Sequence, residues 1–226
     1  MKQLLNAVLA GLVLGAAHGV SADPIGPEHH NSYHSLGCLI LKECSDGVVR
    51  IRSLEDIKKT IPGANFDWYE GEIDDLLAAM DKIGIEVYIA EDKYFPPNHR
   101  GVYTPNGNTM FLNRDWMLEP HYLLAVMRHE GWHAAQDCMA GTIDNSHVAV
   151  IHWDAHIPQF WVETARSTYP ENVVPWESEA MWAATQNNMT YQALLACGSD
   201  HQKMWEAYEP TPLTREWLVN EGWIDE

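Results

Sequence analysis

Five consecutive residues, His129, Glu130, Gly131, Trp132 and His133, place two imidazoles four positions apart, with a carboxylate directly after the first. On an α-helix, residues four apart sit about 40° apart around the axis and about 6 Å along it, so both rings share one face. Two imidazoles so placed reach one tetrahedral ion at about 2.0–2.1 Å, the Zn–N distance. Glu130, beside His129, is then placed to act on a water at that ion rather than to bind the ion itself. Zinc lowers the pKa of such a water toward about 7. The carboxylate can take its proton as the oxygen attacks a polarised carbonyl, then pass that proton to a leaving amine. Two metal ligands and one general base thus come from five residues.

In a random chain of this length and composition the pattern arises in roughly one case in twenty, so its surroundings must carry the argument. Residues 119–140 read as one helix. Pro120 fits the first turn, where its missing N–H costs nothing, and Gly141 stands after the last turn as a stop. Leu123, Leu124, Met127, Trp132 and Ala135 supply an apolar stripe of approximately helical period.

A catalytic zinc takes three protein ligands and keeps a position open for water. The metzincin pattern would put a third His six residues beyond His133 and a Gly three residues before it; Met139 and Gln136 stand there, and that reading fails. A second source is the segment around Pro175, Trp176, Glu177, Ser178, Glu179 and Ala180, which has the Pro and early acids of a helix start. With this helix downstream of His-Glu-x-x-His, the chain resembles the gluzincin-type zinc metallopeptidases over about 60 residues. The resemblance implies a zincin-like fold, Zn²⁺ held by His129, His133 and Glu177, Glu130 as catalytic base and acid, and a peptide or protein substrate. In several of those families the residue after the Ala of the second motif is an Asp or Asn that buttresses a ligand His. Here it is Met181, so the buttress comes from elsewhere, or Glu179 or a His is the third ligand instead.

Other groups of histidines compete for a role. His152 and His156 have helical spacing and His147 is near, but Pro158 opposes a helix through His156, and these residues read as a polar loop lining the cleft. His29, His30 and His34 form a short His-rich tract that reads as a solvated tail rather than a metal site. A donor for the developing oxyanion is also required, and Tyr191, His156, His201 and Tyr103 are unranked candidates. The ten Trp read as packing residues rather than as ligand subsites.

The elements that must position these residues follow from pattern. Ser53 and Asp56 begin a short helix through Thr60. Residues 71–83 are amphipathic, with Gly84 as a stop. Residues 85–90 read as a strand, and Val102, Tyr103, Met110, Phe111 and Leu112 flank a Pro105-Asn106-Gly107 turn as a hairpin. Further helices are expected at 158–167, 175–187, 191–196, 201–208 and 212–220. The fold class is α+β, mainly helical, with a small sheet preceding the His-Glu-x-x-His helix. In the family resembled, an edge strand lies along the cleft and pairs with extended substrate. The 102–112 hairpin would supply it here.

Residues 1–22 have the plan of a secretory signal peptide: Lys2, an apolar run, then Val20-Ser21-Ala22 as a cleavage site. Export to the periplasm or beyond follows, with no membrane span in the mature chain of about 204 residues. Residues 23–52 form an N-terminal segment whose first fifteen residues read as a polar tail, and residues 53–226 form a single catalytic domain. Four cysteines in an oxidising compartment allow three pairings; the preferred set is Cys38 with Cys44 and Cys138 with Cys197. The formal charge of −18 becomes about −19 without Lys2, which disfavours nucleic acid and points, if anywhere, to cationic partners. No P-loop, dinucleotide fingerprint or G-x-S-x-G elbow is present. Two rivals to the hydrolase stand: a non-catalytic binding module with a structural metal, and a helical exported protein in which His129 and His133 are ordinary polar positions.

Overall fold

The computed structural model describes residues 25–198 and 203–225, so the leader expected over residues 1–22 and the candidate His201 lie outside the described residues. Strands β1 (Val48–Ile51), β2 (Glu86–Ala90), β3 (Gly101–Thr104) and β4 (Thr109–Asn113) form one mixed sheet in the order β1-β2-β4-β3. β2 and β4 are parallel, whereas β1 and β3 run antiparallel to their neighbours. Side chains alternate across a strand, and both faces of the central pair are covered. Val87, Ile89, Met110 and Leu112 face the larger core, while Ala90 and Phe111 face a smaller one.

The larger core is built with α2 (Leu54–Thr60), α3 (Glu70–Lys82) and α4 (Pro120–Met139). Ser53 caps α2 by accepting from the Asp56 amide. Ile73, Leu76 and Met80 of α3 are fully buried and meet Leu123 and Met127 of α4. Left-handed Gly84 and Gly141, with φ of 86° and 139°, stand just past the ends of α3 and α4, as expected of C-terminal stops.

After α4 the chain is helical: α5 (Gln159–Thr168), α6 (Val174–Ala184), α7 (Met189–Cys197), α8 (Met204–Ala207) and α9 (Pro212–Asn220). A second core joins Trp132, Ala135 and Met139 of α4 to Ala180, Ala183 and Ala193. The molecule is therefore α+β, with α4 enclosed between the sheet and the C-terminal helices. Fourteen of its twenty residues are buried, which leaves no solvent face wide enough for its polar side chains.

Several local expectations change. Residues 33–40 form a helix, α1 (Tyr33–Ile40), where the sequence suggests a polar tail. Ser32 and Ser35 make a reciprocal capping box, and Leu36 and Leu39 anchor the helix on Tyr94, Phe95 and Phe111. Strand β1 was not expected either; only Ile51 of its four residues is buried, so it carries little apolar signal. Trp132 is fully buried, but Trp68 is 90 % exposed and the other eight are half-buried or exposed, so packing explains the tryptophans only in part.

Cys38–Cys44 and Cys138–Cys197 are both bonded. The first staples the end of α1 to the loop before β1, the second the end of α4 to the end of α7. Among the described residues no helix is long and apolar enough to cross a membrane.

Candidate metal centre

Helix α4 brings His129 and His133 to one face, and the first turn of α6 brings Glu177 against them. His129 Nε2 lies 3.2 Å from His133 Nε2. Glu177 Oε2 lies 3.3 Å from the first nitrogen and 3.7 Å from the second. Three atoms at those separations share a centre about 2.0 Å from each, which is the Zn–N and Zn–O bond length. Glu177 Oε2 is also buried without an aligned hydrogen bond. Buried carboxylate oxygens are rarely left so unless something else occupies them. These three residues therefore fit a metal ion, and they form the single group of three or more His, Cys, Asp or Glu able to do so among the described residues. Each keeps 15–18 % of its side-chain exposure, so the centre is open to solvent.

Electrostatics bind the trio together. Burial opposes a charge on His133, but the Glu177 carboxylate overrides it, with Glu130 and Gln136 helping, and pushes the imidazole up to about 9. Burial likewise opposes charge on Glu177, yet the two imidazoles hold it well below the usual carboxylate range. The first turn of α6 adds to this, because helix N-termini favour negative charge. A cation at the shared centre would take the place of those protons.

The buttress missing at Met181 is Gln136. Its amide nitrogen donates to Glu179 Oε2 at 2.6 Å and to the Trp176 carbonyl at 3.2 Å. The Trp176 carbonyl can only accept, which fixes the orientation of the amide and turns its oxygen to His133 Nδ1 at 2.8 Å. An amide oxygen only accepts, so Nδ1 carries the proton and the neutral ring presents the Nε2 lone pair to the centre. Glu179, fully buried and pushed up to about 7 by that burial, accepts from Gln136 and from the Ile151 and His152 amides. It faces away from the trio and ties the 150–152 loop to α4 and α6. Of the alternatives left open by the sequence, the structure places Glu177, not Glu179, beside the histidines.

Glu130 sits under the edge of the sheet. The Asn113 amide donates to the Arg100 carbonyl, so in this antiparallel register the backbone groups of Gly101 and Tyr103 turn away from β4 toward the free edge. There the Tyr103 amide donates to Glu130 Oε2 at 2.8 Å. Burial raises the Glu130 pKa; the two imidazoles oppose that rise and Glu177 adds to it. Two glycines permit the close approach. A Cβ on Gly101 would lie 2.7 Å from Val126 and 3.1 Å from Glu130 Oε1, and one on Gly131 would lie 2.8 Å from Met80 and 2.9 Å from Thr190.

Tyr169, which ends α5, is the residue the sequence did not reveal. Burial, followed by the charges of Glu177 and Glu130, raises the pKa of its hydroxyl, so it stays protonated. A Tyr eight residues before Glu177 obeys no spacing rule, because the 169–173 turn sets the distance. Two of the expected donors lie elsewhere. The Tyr103 hydroxyl is bound to Asp137 at 2.8 Å, and Tyr191 packs against the larger core. His152 stacks on Trp132 with ring centroids 5.6 Å apart and meets Trp182 and Tyr208 edge-on, so it fills an aromatic box. His147 lies against Trp217, and His29 against His34.

Comparison with known protein families, curated proteins and solved structures finds no match for this chain.

Proposed function

We propose that this chain is an exported zinc-dependent hydrolase with a zincin-like catalytic domain, acting as a metallopeptidase on peptide or protein substrates. The observation that carries the reading is the shared centre of His129 Nε2, His133 Nε2 and Glu177 Oε2, with the Glu130 carboxylate on the same helix beside it. These three residues would hold Zn²⁺. Bound zinc supplies Lewis acidity, which acidifies a water and polarises a carbonyl. Glu130, steadied through one oxygen by the Tyr103 amide, takes the proton of the attacking water. It then delivers that proton to the nitrogen released as the C–N bond breaks. Tyr169 keeps its proton and can donate to the oxygen that gains negative charge. Gln136 holds His133 in the one tautomer that suits a ligand.

Two disulfides and the absence of a membrane-crossing helix among the described residues suit an exported protein. A non-catalytic module with a structural metal would need a fourth protein ligand. Glu179, the alternative carboxylate on the same helix as Glu177, has its oxygens engaged by Gln136, Ile151 and His152.

The test is metal content by elemental mass spectrometry on wild type, Glu130→Gln and His133→Ala, followed by digestion of a peptide library. About one zinc in the first two and none in the third, with cleavage by wild type alone, is the expected result. Full zinc in His133→Ala removes the proposed centre, and zinc binding without cleavage of any peptide returns the chain to the binding-module reading.

A further inference from the structure

Arg100 directly precedes the edge strand β3 and is exposed. Its guanidinium carbon lies 4.5 Å from the centroid of the Trp116 ring and 5.3 Å from that of Tyr122. Those two rings meet edge to face at 6.4 Å. Other cations of the chain are engaged by acids: Lys42, Arg50, Lys58, Lys93, Arg114 and Arg128 each pair with a carboxylate within 4 Å. Arg100 has no carboxylate within that distance among the described residues, in a chain with 32 acids and 14 cations. Aromatic contact orders a guanidinium without using its in-plane donors. The result is a fixed fork of N–H groups, facing solvent, of the kind that takes a carboxylate by two parallel hydrogen bonds.

Its place near the metal centre follows from two relations. The next residue, Gly101, packs against Glu130 so closely that a Cβ there would lie 3.1 Å from Oε1. Tyr122 precedes His129 by seven residues, which puts it on the same face of α4 and about 10 Å away along the axis. A strand advances about 3.4 Å per residue, so 10 Å corresponds to about three residues of extended substrate.

We propose that Arg100, clamped by Trp116 and Tyr122, is an anion subsite of the cleft that selects substrates carrying a carboxylate about two to three residues from the hydrolysed bond. The carboxylate is an Asp or Glu side chain or the C-terminus of the substrate. This rests on the hydrolase reading and names its substrate class. It also reverses the expectation of cationic partners drawn from net charge, because the local field of the cleft differs from the charge of the whole surface.

The test uses three peptide hydroxamates of equal length, whose hydroxamate binds zinc and whose chain extends along the cleft. One carries Glu three residues from the hydroxamate with an amidated terminus. The second carries Gln there with an amidated terminus, and the third carries Gln there and ends at that residue in a free carboxylate. Calorimetric titration of the zinc-loaded full chain should show one of the two acidic probes binding about tenfold tighter than the neutral probe, the scale of a hydrogen bond to a charged group. Raised salt should weaken the preference. Arg100→Ala should bring the ratio below about twofold while leaving zinc stoichiometry unchanged, and Arg100→Lys should keep part of it. Which acidic probe wins identifies the side chain or the terminus as the source. Equal binding of all three by wild type, or an undiminished preference in Arg100→Ala, overturns the subsite and leaves the hydrolase standing. Failure of every hydroxamate to bind the zinc-loaded protein overturns both.

Discussion

Replacing Gln136 by Met keeps the length and volume of a side chain that is fully buried and removes all of its hydrogen bonds. His133 Nδ1–H loses its acceptor at 2.8 Å, and Glu179 loses its donor at 2.6 Å while keeping two backbone amides. A buried group left unsatisfied costs about 1–3 kcal/mol, so the orphaned imidazole and the weakened carboxylate together should lower the stability of the metal-free protein by about 2–4 kcal/mol. Loss of the group that orients a ligand His should weaken zinc binding about 10- to 100-fold. Gln136→Glu separates the two effects. It keeps an acceptor for His133 but sets a second buried carboxylate against Glu179, so zinc affinity should hold while stability falls. Urea unfolding of the metal-free proteins and competition for zinc with a chromophoric chelator give the two numbers. If Gln136→Met binds zinc within about twofold of wild type, Gln136 does not orient His133 and the account of the buttress is wrong.

Glu130→Gln should retain about one zinc per chain and lose a factor of about 10² or more in turnover, and unchanged turnover would remove Glu130 from the mechanism. Asp137 is fully buried, and burial pushes its carboxyl up to about 8. A folded pKa above the ordinary value of 3.8 gives stability that is present below 3.8 and is lost as pH rises through about 8. Urea midpoints from pH 5 to 8 should therefore fall with a slope of up to about 1.4 kcal/mol per pH unit from this group. Asp137→Asn, which still accepts from Tyr103, should flatten that slope; an identical slope in the variant assigns it to other groups. Removing Cys138–Cys197, which spans 59 residues, should cost about 4 kcal/mol, and removing Cys38–Cys44, which spans 6, about 2 kcal/mol. Equal unfolding midpoints for the two double-Ser variants would contradict the loop-length argument. Gly101→Ala should cost about 1–3 kcal/mol, because its Cβ would meet Val126 at 2.7 Å; a variant as stable as wild type would show that the strand yields.

Local chemistry made much of this legible beforehand. The bounds of α4 follow from Pro120 and Gly141, the β3–β4 hairpin from its Pro-Asn-Gly turn, and α2 from the Ser53 cap. The partners of the four cysteines were also readable, since one pair is close in sequence and the members of the other each stand at the end of a helix. Helix α1 and strand β1 were not, because each is held by one or two apolar residues whose partners are distant in sequence. The same reason hid part of the site. His129 and His133 are fixed by the period of one helix, whereas Tyr169 and Arg100 come from turns whose course depends on packing. Gln136 carries no sequence signal of its own, because its role is defined by Glu179, two helices further along the chain.

Helix α4 shows why the trio, rather than some other polar cluster, is where an ion belongs. A helix enclosed by two cores would ordinarily carry apolar residues throughout, since burying a polar group without a partner costs free energy. This one carries Arg128, Glu130, Gln136 and Asp137 among its buried residues, and each is answered from another element. Arg128 makes a two-pronged pair with Glu72 of α3 and donates to the Ala184 carbonyl and to Asn187. Glu130 and Asp137 are both met by Tyr103, through its amide and its hydroxyl respectively. Gln136 is met by Glu179 and Trp176 of α6. At the Nε2 atoms of His129 and His133 the only partners among the described residues are each other and Glu177, whose Oε2 has no aligned donor. Three donor atoms that converge on one centre and answer only one another leave a bound cation as their common partner. Zinc at 100 times its dissociation constant should then raise the unfolding free energy by about 2.7 kcal/mol. Thermal unfolding with and without zinc measures this, and a midpoint that does not move, or that moves equally in His133→Ala, would place the compensation elsewhere.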